Sequence, residues 1–433
     1  MTALDPRTAR RVFLLLTATR WLPVGLVVAL VLLRPLERGL TATQTLTVTA
    51  VAGAVTVLLE LPTSGLADAL GRRPLLVTAA AVNVAASVLL LTADSVAGFV
   101  VAAALMGVFR ALDSGPLEAW YVDTVHVHRP GADVDQELTR AGTVLGASIA
   151  LGALVSGGLV WWAPLAGSPL TLPLALAAAL GVVHLLATLV LLREPTRATG
   201  RPLASLRHGV RDVPRVVRDG LGLVGHSRVL AGLMLAEATI ALSMIGFESM
   251  VPLRLADLLG STSEAGAALG PTAAAGWAVF AVGSAAGGLL SGRLGVARAA
   301  ALGHALTALA VVGIGLAGGA LGVLAAYLVS YCFFGGTGPL HAALVHREAT
   351  AANRTTVLSL GSMVSFTVFA VVAPLAGLLS GVTSLGLATV VLGVGGLLGV
   401  AAYAPAVRAE RAASTSPVTS PVTSPPTTPV RPR

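Results

Sequence analysis

Four polar side chains lie close together in an otherwise apolar stretch of the chain, and their spacing could support proton transfer. Arg110, Ser114 and Glu118 recur at four-residue steps, with Asp113 one turn from Arg110, so a helix places them along one stripe. At about 1.5 Å per residue, Arg110 lies about 21 Å inside that stretch. A guanidinium at such depth needs an acid or a water-filled cavity beside it. We predict either a functional role for Arg110 or a structural pair between Arg110 and Asp113.

Three further acids and one arginine lie within apolar runs. Glu237 and Glu248 share one helical face, about 16 Å apart, and Glu237, near mid-run, is a candidate proton acceptor. Glu248 lies near the outer end of the run and is expected to be solvated. Arg20 lies about 12 Å into the first run and either extends to the polar boundary or faces the interior. Glu60 is either part of the transport path or a member of an ion pair at the end of its run, and we favour the ion pair.

The composition shows what surrounds these residues. Hydrophobic residues make up 55% of the 433 positions and charged residues 11%, whereas about a quarter of the residues in soluble domains are charged. Such a chain cannot shield its apolar surface from water, so its solvent must be lipid. A helix crosses the hydrocarbon with about 20 apolar residues, and twelve runs qualify. The predicted spans are 12–33, 43–63, 74–93, 95–121, 141–163, 170–192, 229–251, 271–291, 297–317, 319–342, 355–380 and 384–405.

The positive charges follow the topology of these spans. All 28 basic residues are arginine, and 23 of them fall on one side of the membrane when the N-terminus is placed inside the cell. The positive-inside rule therefore predicts a multi-pass protein of the cell membrane with both termini in the cytoplasm. The net charge of +8 reflects this topology, so we expect no nucleic-acid partner.

Six predicted helices precede residue 193 and six follow residue 228, which divides the chain into two halves. We predict an N-terminal six-helix bundle over residues 1–192, a basic cytoplasmic linker over 193–228 and a C-terminal six-helix bundle over 229–408. The linker either lies on the inner membrane surface or is a solvated connection. Residues 409–433, rich in Ser, Thr and Pro, are predicted to be disordered. The predicted fold class is an all-α integral membrane protein with twelve transmembrane helices.

A polar loop between the second and third predicted helices returns in weakened form in the second half. The first copy contains Asp68, Gly71, Arg72 and Arg73, and the second keeps Gly288, Leu290, Arg293 and Gly295. A glycine permits a positive φ, an aspartate can cap a helix N-terminus, and the arginines can pair with acids at neighbouring helix ends. Glu118 and Asp123 are the expected partners of Arg72 or Arg73. We interpret the loop as a latch, or cytoplasmic gate, between the halves.

The segment from Ser64 to Arg73 resembles the loop 2–3 signature of the major facilitator superfamily, Gly-x-Leu-Ala-Asp-Arg-x-Gly-Arg-Arg. Two positions differ, since Ser64 replaces a glycine and Ala69 replaces an arginine. The segment Arg110-Ala111-Leu112-x-x-Gly115 is similar to the fourth-helix arginine motif that the family associates with proton coupling. Of the fifth-helix signature of drug/proton antiporters, Gly-Pro-x-x-Gly-Gly, only Gly157 and Gly158 remain, which leaves the antiporter interpretation open.

The resemblance implies two six-helix bundles that rock about a central binding site and expose it to each side in turn. It favours proton-coupled export of a small drug-like compound or metabolite, as in multidrug resistance. Arg110, Asp113, Glu237 and Arg20 would form the proton and transport path. The gate would comprise Asp68, Gly71, Arg72, Arg73, Glu118, Asp123, Arg293 and Gly295. The expected partners are the substrate, protons and membrane lipids, the expected state is a monomer, and no cofactor is expected.

Two other functions remain open at this point. The same fold could import a nutrient, or the chain could be a multispanning membrane enzyme. The enzyme alternative has little support, because the longest outer loop, predicted near residues 252–270, holds only Asp257 and Glu264. We find no metal-protease spacing of histidines and no phosphate-binding Gly-x-x-x-x-Gly-Lys loop, which a chain without lysine cannot contain. We therefore expect an ion or solute gradient to supply the energy.

Overall fold

Among the residues that the structure describes, the computed structural model has twelve helices that are long and apolar enough to cross a membrane, which confirms the predicted fold class. The structure describes residues 4–63, 70–162, 167–194, 215, 218–350 and 353–415. Over these residues every regular element is helical. We number the membrane-spanning helices α1 to α12 in chain order.

The first half contains six spans, of which two are interrupted. They are α1 (Pro6–Val27, continued by Leu30–Glu37), α2 (Ala42–Thr63), α3 (Arg72–Thr92), α4 (Val96–Leu112, continued by Pro116–His128), α5 (Asp135–Trp162) and α6 (Thr171–Leu191). The break in α4 follows Asp113 and centres on Gly115, whose φ of 94° is a conformation that glycine adopts without steric cost.

The second half also contains six spans, with irregular turns in the first and the last. They are α7 (Arg228–Met244, a π-helical segment Ile245–Ser249, and Met250–Leu259), α8 (Thr262–Leu294), α9 (Val296–Leu316), α10 (Ala320–Glu348), α11 (Arg354–Val382) and α12 (Leu385–Leu398, a 3-10 segment Gly399–Tyr403, and Ala404–Thr415). With an even number of crossings, residues 4 and 415 lie at the same end of the bundle. We call this end the terminal face and the other end the opposite face.

Four of these helices begin at a serine N-cap. Ser95, Ser227, Ser261 and Ser384 each accept a hydrogen bond from the backbone N–H three residues later. Such a cap satisfies one of the free N–H groups at a helix start and contributes about 1 kcal/mol.

The predicted long outer loop over residues 252–270 is wrong. Helix α7 continues to Leu259, Gly260 ends it in the left-handed conformation with a φ of 64°, and Ser261 already caps α8. The predicted eighth span began only at residue 271. In the structure Pro271 lies inside α8. A proline can lie within a membrane span where neighbouring helices satisfy the backbone groups that it leaves without a partner.

The structure tests the predicted end of the second bundle but describes little of the predicted linker. Helix α12 ends at Thr415 rather than at residue 408, so its last turns enter the predicted tail. Residues 416–433 and most of the linker, 195–214 and 216–217, lie outside the described residues.

The largest contacts between the two halves are those of α2 with α11 and of α5 with α8, and the Leu30–Glu37 segment of α1 adds smaller contacts with α7 and α8. Near the opposite face the backbones of α5 and α8 touch: a Cβ added to Gly270 would lie 2.4 Å from the Cα of Gly157. Thr43 of α2 donates a hydrogen bond of 2.7 Å to the carbonyl of Gly377 in α11. In lipid, dispersion between close helices replaces the hydrophobic drive, so small residues at these positions permit the approach.

The halves separate toward the terminal face. Gly53 of α2 still meets Phe366 of α11 at mid-depth, and Gly146 of α5 meets the ring of Trp277 in α8. Nearer the terminal face, Gly142 of α5 and Gly292 of α8 have no atom within 4 Å of an added Cβ. The close contacts between the halves therefore lie between mid-depth and the opposite face, and we call those near the opposite face the seal. From the looser surroundings of Gly142 and Gly292 we infer a crevice between the halves that opens toward the terminal face.

Candidate functional site

The first half contains an ion pair buried between α1 and α4. The guanidinium of Arg20 pairs with the carboxylate of Asp113 and also donates to the Asp113 carbonyl at 3.1 Å. The side chain of Asp113 is 3% exposed and that of Arg20 is 13% exposed. Arg20 therefore faces the bundle interior and does not extend to the membrane surface.

Of the two alternatives for Arg110, the structural pair with Asp113 is wrong, because Asp113 pairs with Arg20. Asp113 ends the first segment of α4 with a φ of −105°, so the helical register that would bring the two side chains together stops there. The backbone break turns Asp113 toward α1 instead. Sequence spacing alone suggested a counter-ion from the same helix, whereas the tertiary structure supplies Arg20 from another.

Arg110 reaches across the boundary between the two halves. Its guanidinium carbon lies 5.1 Å from the ring centre of Phe366 in α11, a separation suited to a cation–π contact. Glu60 of α2 is near enough for its charge to attract that of Arg110. Arg110 is exposed, and Phe366 lies where the contact between α2 and α11 begins. Arg110 thus lies at the inner end of the crevice.

The second half holds a hydrogen-bonded carboxylate cluster that joins four helices. Glu237 of α7 accepts a hydrogen bond from the hydroxyl of Ser365 in α11. The Nε2 atom of His341 in α10 lies 3.0 Å from the other carboxylate oxygen of Glu237. The Nδ1 atom of His341 lies 3.0 Å from the hydroxyl of Tyr403 in α12. A proton can pass along such contacts, because imidazole and phenol groups both donate and accept hydrogen bonds.

His304 of α9 extends this cluster toward a fifth helix. Its ring meets that of Tyr403 edge-on, with centroids 5.9 Å apart. Glu237 retains 24% exposure, whereas His304 is 1% and His341 4% exposed. The cluster therefore has one solvent-accessible end, at Glu237. Sequence analysis singled out Glu237 but not its partners, because His341 and Tyr403 are distant along the chain and have no motif of their own.

Gly71 and a distant acid shape the start of α3 at the terminal face. Gly71 has a φ of 89°, and the carboxylate of Glu194 accepts hydrogen bonds from the backbone N–H groups of Arg72 at 3.1 Å and Arg73 at 2.8 Å. A carboxylate there satisfies free N–H groups and favours the helix dipole. Asp68, the acid expected to act in this loop, lies outside the described residues.

The side chains of this loop pair in part as expected. Arg72 forms a 2.8 Å ion pair with Asp123 of α4, one of its two predicted partners. Arg73 instead donates to the carbonyl of Leu189 at 2.8 Å. The expected contact of Glu118 with either arginine does not occur, and Glu118 lies near Asp113 instead.

The second half repeats this arrangement with its own residues. Gly295 has a φ of 87°, and Glu410 of α12 accepts a 3.0 Å hydrogen bond from the N–H of Ala297. Glu410 also pairs with Arg347 at 2.8 Å. Arg293 is exposed and has no hydrogen bond or ion pair to the described residues. In the first half the acid follows the sixth helix and in the second half it lies in the last segment of that helix, a signal that the loop motifs alone do not contain.

We expect Glu194→Ala to lower the free energy of unfolding by about 1 kcal/mol, the typical contribution of a helix cap. The reason is that two backbone N–H groups of α3 lose their common acceptor. Thermal unfolding of the purified protein in detergent measures the change. Asp94→Ala removes an exposed acid at the opposite face and should leave the melting temperature unchanged. Equal melting temperatures for both variants would contradict this role of Glu194.

Two buried arginines repeat at the opposite face. Arg34 of α1 is 1% exposed and donates to the carbonyl of Leu91 at 2.7 Å, at the end of α3. Arg254 of α7 is 8% exposed and donates to the carbonyl of Ala317, which ends α9. Each arginine satisfies a free carbonyl and complements the dipole of the third helix in its half. The two halves are therefore held at both ends by corresponding contacts.

The expectation that Glu248 is solvated is wrong. It lies in the π-helical segment of α7 and accepts a hydrogen bond from the hydroxyl of Tyr331 in α10. The additional residue of the π turn changes the register of α7, which places Glu248 between helices and not at the surface. This shift could not be read from the regular periodicity of the segment.

Comparisons with known proteins agree with this architecture. A family model described as Major Facilitator Superfamily matches residues 13–374. A search of curated proteins gives no match.

Several solved transporter structures share the fold at low sequence identity. The nucleoside transporter NupG aligns with a TM-score of 0.70 at 12% identity, over 91% of this chain and 98% of that one. The peptide transporter POT in complex with sulfate aligns with a TM-score of 0.70 at 16% identity, over 94% and 95% of the two chains. A POT family transporter in complex with 5-aminolevulinic acid gives a TM-score of 0.70 at 15% identity, over 93% and 97%. At these identities the likeness concerns the fold alone.

Proposed function

Because the chain belongs to the major facilitator superfamily, we propose that it exports a small drug-like compound or metabolite in exchange for protons. Membership makes the chain a multi-pass membrane transporter and not an enzyme. We further propose that the protein lies in the cell membrane with its terminal face toward the cytoplasm. The working unit is a monomer, and membrane lipids surround it.

The main support for proton coupling is the cluster of side chains around Glu237. Its carboxylate is held by Ser365 and His341 and keeps 24% exposure, so it can exchange a proton with the crevice. The proton affinity of the carboxylate depends on these contacts. A bound substrate or a movement of the halves that changes the contacts therefore changes the proton affinity. Glu237 is therefore our primary proton carrier, and His341 is a positioning residue that holds the carboxylate in place.

The ion pair of Arg20 and Asp113 is the second part of the proposed path. A charged pair inside a membrane protein is costly to separate, so it favours whichever conformation keeps α1 and α4 in this arrangement. Arg110 is exposed at the inner end of the crevice and contacts Phe366 of the other half. Rocking of the halves would therefore change the surroundings of Arg110. We assign these three residues to coupling between proton movement and rocking.

The gate is proposed at the terminal face. Gly71, Arg72, Arg73 and Asp123 in the first half, with Gly295 and Arg293 in the second, belong to the two repeated turns. Asp68 is included on its sequence position, and Glu118 on its place below the break in α4. Closing the crevice would bring the two turns together, where the ion pairs of the first can exchange partners.

Proton release by the detergent-solubilised protein, on addition of candidate compounds, tests this proposal. We expect the wild-type protein to release protons and Glu237→Gln to release at least about tenfold fewer, because the amide cannot carry a proton at this site. Glu264→Gln, which removes an exposed acid outside the cluster, is the matched control. Release that is unchanged in Glu237→Gln would refute the assignment.

Vesicles of opposite orientation separate export from its alternative, import of a nutrient. Everted vesicles acidified inside should accumulate the compound, and right-side-out vesicles should not. Accumulation only in right-side-out vesicles driven by external acid would establish the importer instead. Either result leaves the family and fold unchanged.

A further inference from the structure

Aromatic side chains gather at one place between the helices of the second half. Aromatic residues make up only 4% of the chain, yet six of them form one connected group on α7, α8 and α10. The ring centroids are 4.8 Å apart for Tyr327 and Tyr331, 5.2 Å for Tyr331 and Phe247, 5.4 Å for Phe247 and Phe334, 6.0 Å for Phe334 and Phe280, and 5.7 Å for Phe280 and Trp277. We call these six residues the aromatic group.

The aromatic group adjoins the boundary between the two halves. Trp277 packs against Gly146 of α5 in the first half. A cavity of about 10 Å³ lies beside Tyr327 and Glu248 and is closed from the other side by Val28 and Ala29 of α1. At about 1.5 Å per residue from Leu259, Glu248 lies about 16 Å from the opposite face, near mid-depth. The group therefore occupies the position where the rocking halves meet.

Glu248 has no positive charge to balance it. Its carboxylate accepts one hydrogen bond, from Tyr331, and no arginine or histidine of the described part of the chain forms an ion pair with it. By contrast, Asp113 has Arg20 beside it and Glu237 has His341. A carboxylate among apolar side chains requires either a proton or a cation from outside the chain.

We propose that Glu248 and the aromatic group bind a lipophilic organic cation, which is the transported substrate. The carboxylate of Glu248 provides the counter-charge. The ring of Tyr327, which lines the cavity, provides cation–π attraction and apolar contact, and the other rings of the aromatic group pack behind it. A metal ion does not fit, because hard cations require several oxygen ligands and no group of metal-binding side chains occurs in the described residues. In the present conformation the cavity is nearly closed, so the ligand separates Tyr327 from the α1 side chains when it binds.

This inference rests on the proposed function for its direction of transport. A negative interior potential draws an organic cation into the cell, by about 2.3 kcal/mol per 100 mV for one charge. Coupling to protons is therefore required only to move such a compound outward. A cationic substrate and proton-driven export are consistent with each other on this ground.

Equilibrium binding to the purified protein tests the site separately from transport. The probes are three cations, namely tetraphenylphosphonium, ethidium and a benzyl-dimethyl-alkylammonium, together with the size-matched anion tetraphenylborate. We expect saturable binding of at least one cation and no competing binding of the anion. Glu248→Gln should weaken cation binding at least about tenfold, because the amide keeps an oxygen for Tyr331 but has no charge.

Two further variants distinguish the site from a structural contact. Glu264→Gln removes an exposed acid at the opposite face, away from the cavity, and should bind the cation as the wild type does. Tyr331→Phe keeps the ring and should change the affinity by less than about threefold, since its hydroxyl supports the carboxylate but is not the counter-charge. A melting temperature and a monodisperse elution profile verify the fold of each variant.

Three results would overturn the inference. One is that none of the three cations binds the wild-type protein, and another is that tetraphenylborate binds as tightly as tetraphenylphosphonium. The third is that Glu248→Gln binds the cation with wild-type affinity, which would make Glu248 a protonated structural residue or a proton carrier. Cation binding that depends on Glu248, in a protein whose proton release does not depend on Glu237, would refute the coupling assignment and leave this site established.

Discussion

Gly157→Leu is expected to move the protein out of its present conformation by forcing the halves apart at the opposite face. A Cβ on Gly157 would lie 2.7 Å from the Cδ atom of Pro271 and 2.8 Å from the Cα of Gly270. These atoms belong to the helix backbone and a proline ring, which cannot turn aside. Overpacking of this kind costs about 1–3 kcal/mol, which shifts the ratio of two conformations roughly 5- to 150-fold.

The next residue supplies the matched control. Gly158 has no atom within 4 Å of an added Cβ, so Gly158→Leu adds the same volume to the same helix turn without a clash. Spin labels on cysteines introduced at Thr139 of α5 and Gly292 of α8, both exposed, report the width of the crevice in a Cys332→Ser background. We expect a shorter distance in Gly157→Leu and an unchanged one in Gly158→Leu.

A rigid rocking motion is the physical assumption behind that result. If the halves move as bodies, opening one face closes the other. A wild-type distance in Gly157→Leu, in a folded protein, would mean that the seal between α5 and α8 does not control the crevice. A longer distance would mean that the halves separate rather than rock.

Asp113→Asn is expected to cause the largest loss of stability. It leaves the guanidinium of Arg20, which is 13% exposed, without its counter-charge. Removing one member of a buried ion pair costs about 3–5 kcal/mol. The melting temperature of the purified protein, with and without added salt, measures this loss.

A double variant separates stability from function at the same pair. Arg20→Gln combined with Asp113→Asn leaves two neutral amides that can still hydrogen-bond, so most of the stability should return. Transport should not return, because the proposed coupling requires the charges. Stability of the single variant equal to the wild type would contradict the pair, and transport by the double variant would contradict its role in coupling.

Features that depend on local composition were predictable from the chain alone. The twelve spans follow from runs of about 20 apolar residues, and the repeated turns at Gly71 and Gly295 follow from a glycine between two such runs. The pair of Arg72 with Asp123 was also within reach, because both lie at helix ends on one side of the membrane. These features require only the solvent preference of each segment and the order of segments.

Features that depend on helix geometry were not predictable in the same way. Because of the break at Gly115, Asp113 pairs with Arg20 and not with Arg110. Because of the π turn at residues 245–249, Glu248 lies between helices and not at the surface. One irregular turn rotates every following side chain, and periodicity assumes that no such turn occurs.

By itself the sequence determined that the chain spans a membrane twelve times, with two related halves and ionisable residues inside each. Only the tertiary structure decided which of those residues meet, as in the cluster of Glu237 with Ser365, His341 and Tyr403. The physical reason is that lipid selects each helix by its own composition, whereas an ion pair or a hydrogen bond depends on the rotation and depth of two helices that are distant along the chain.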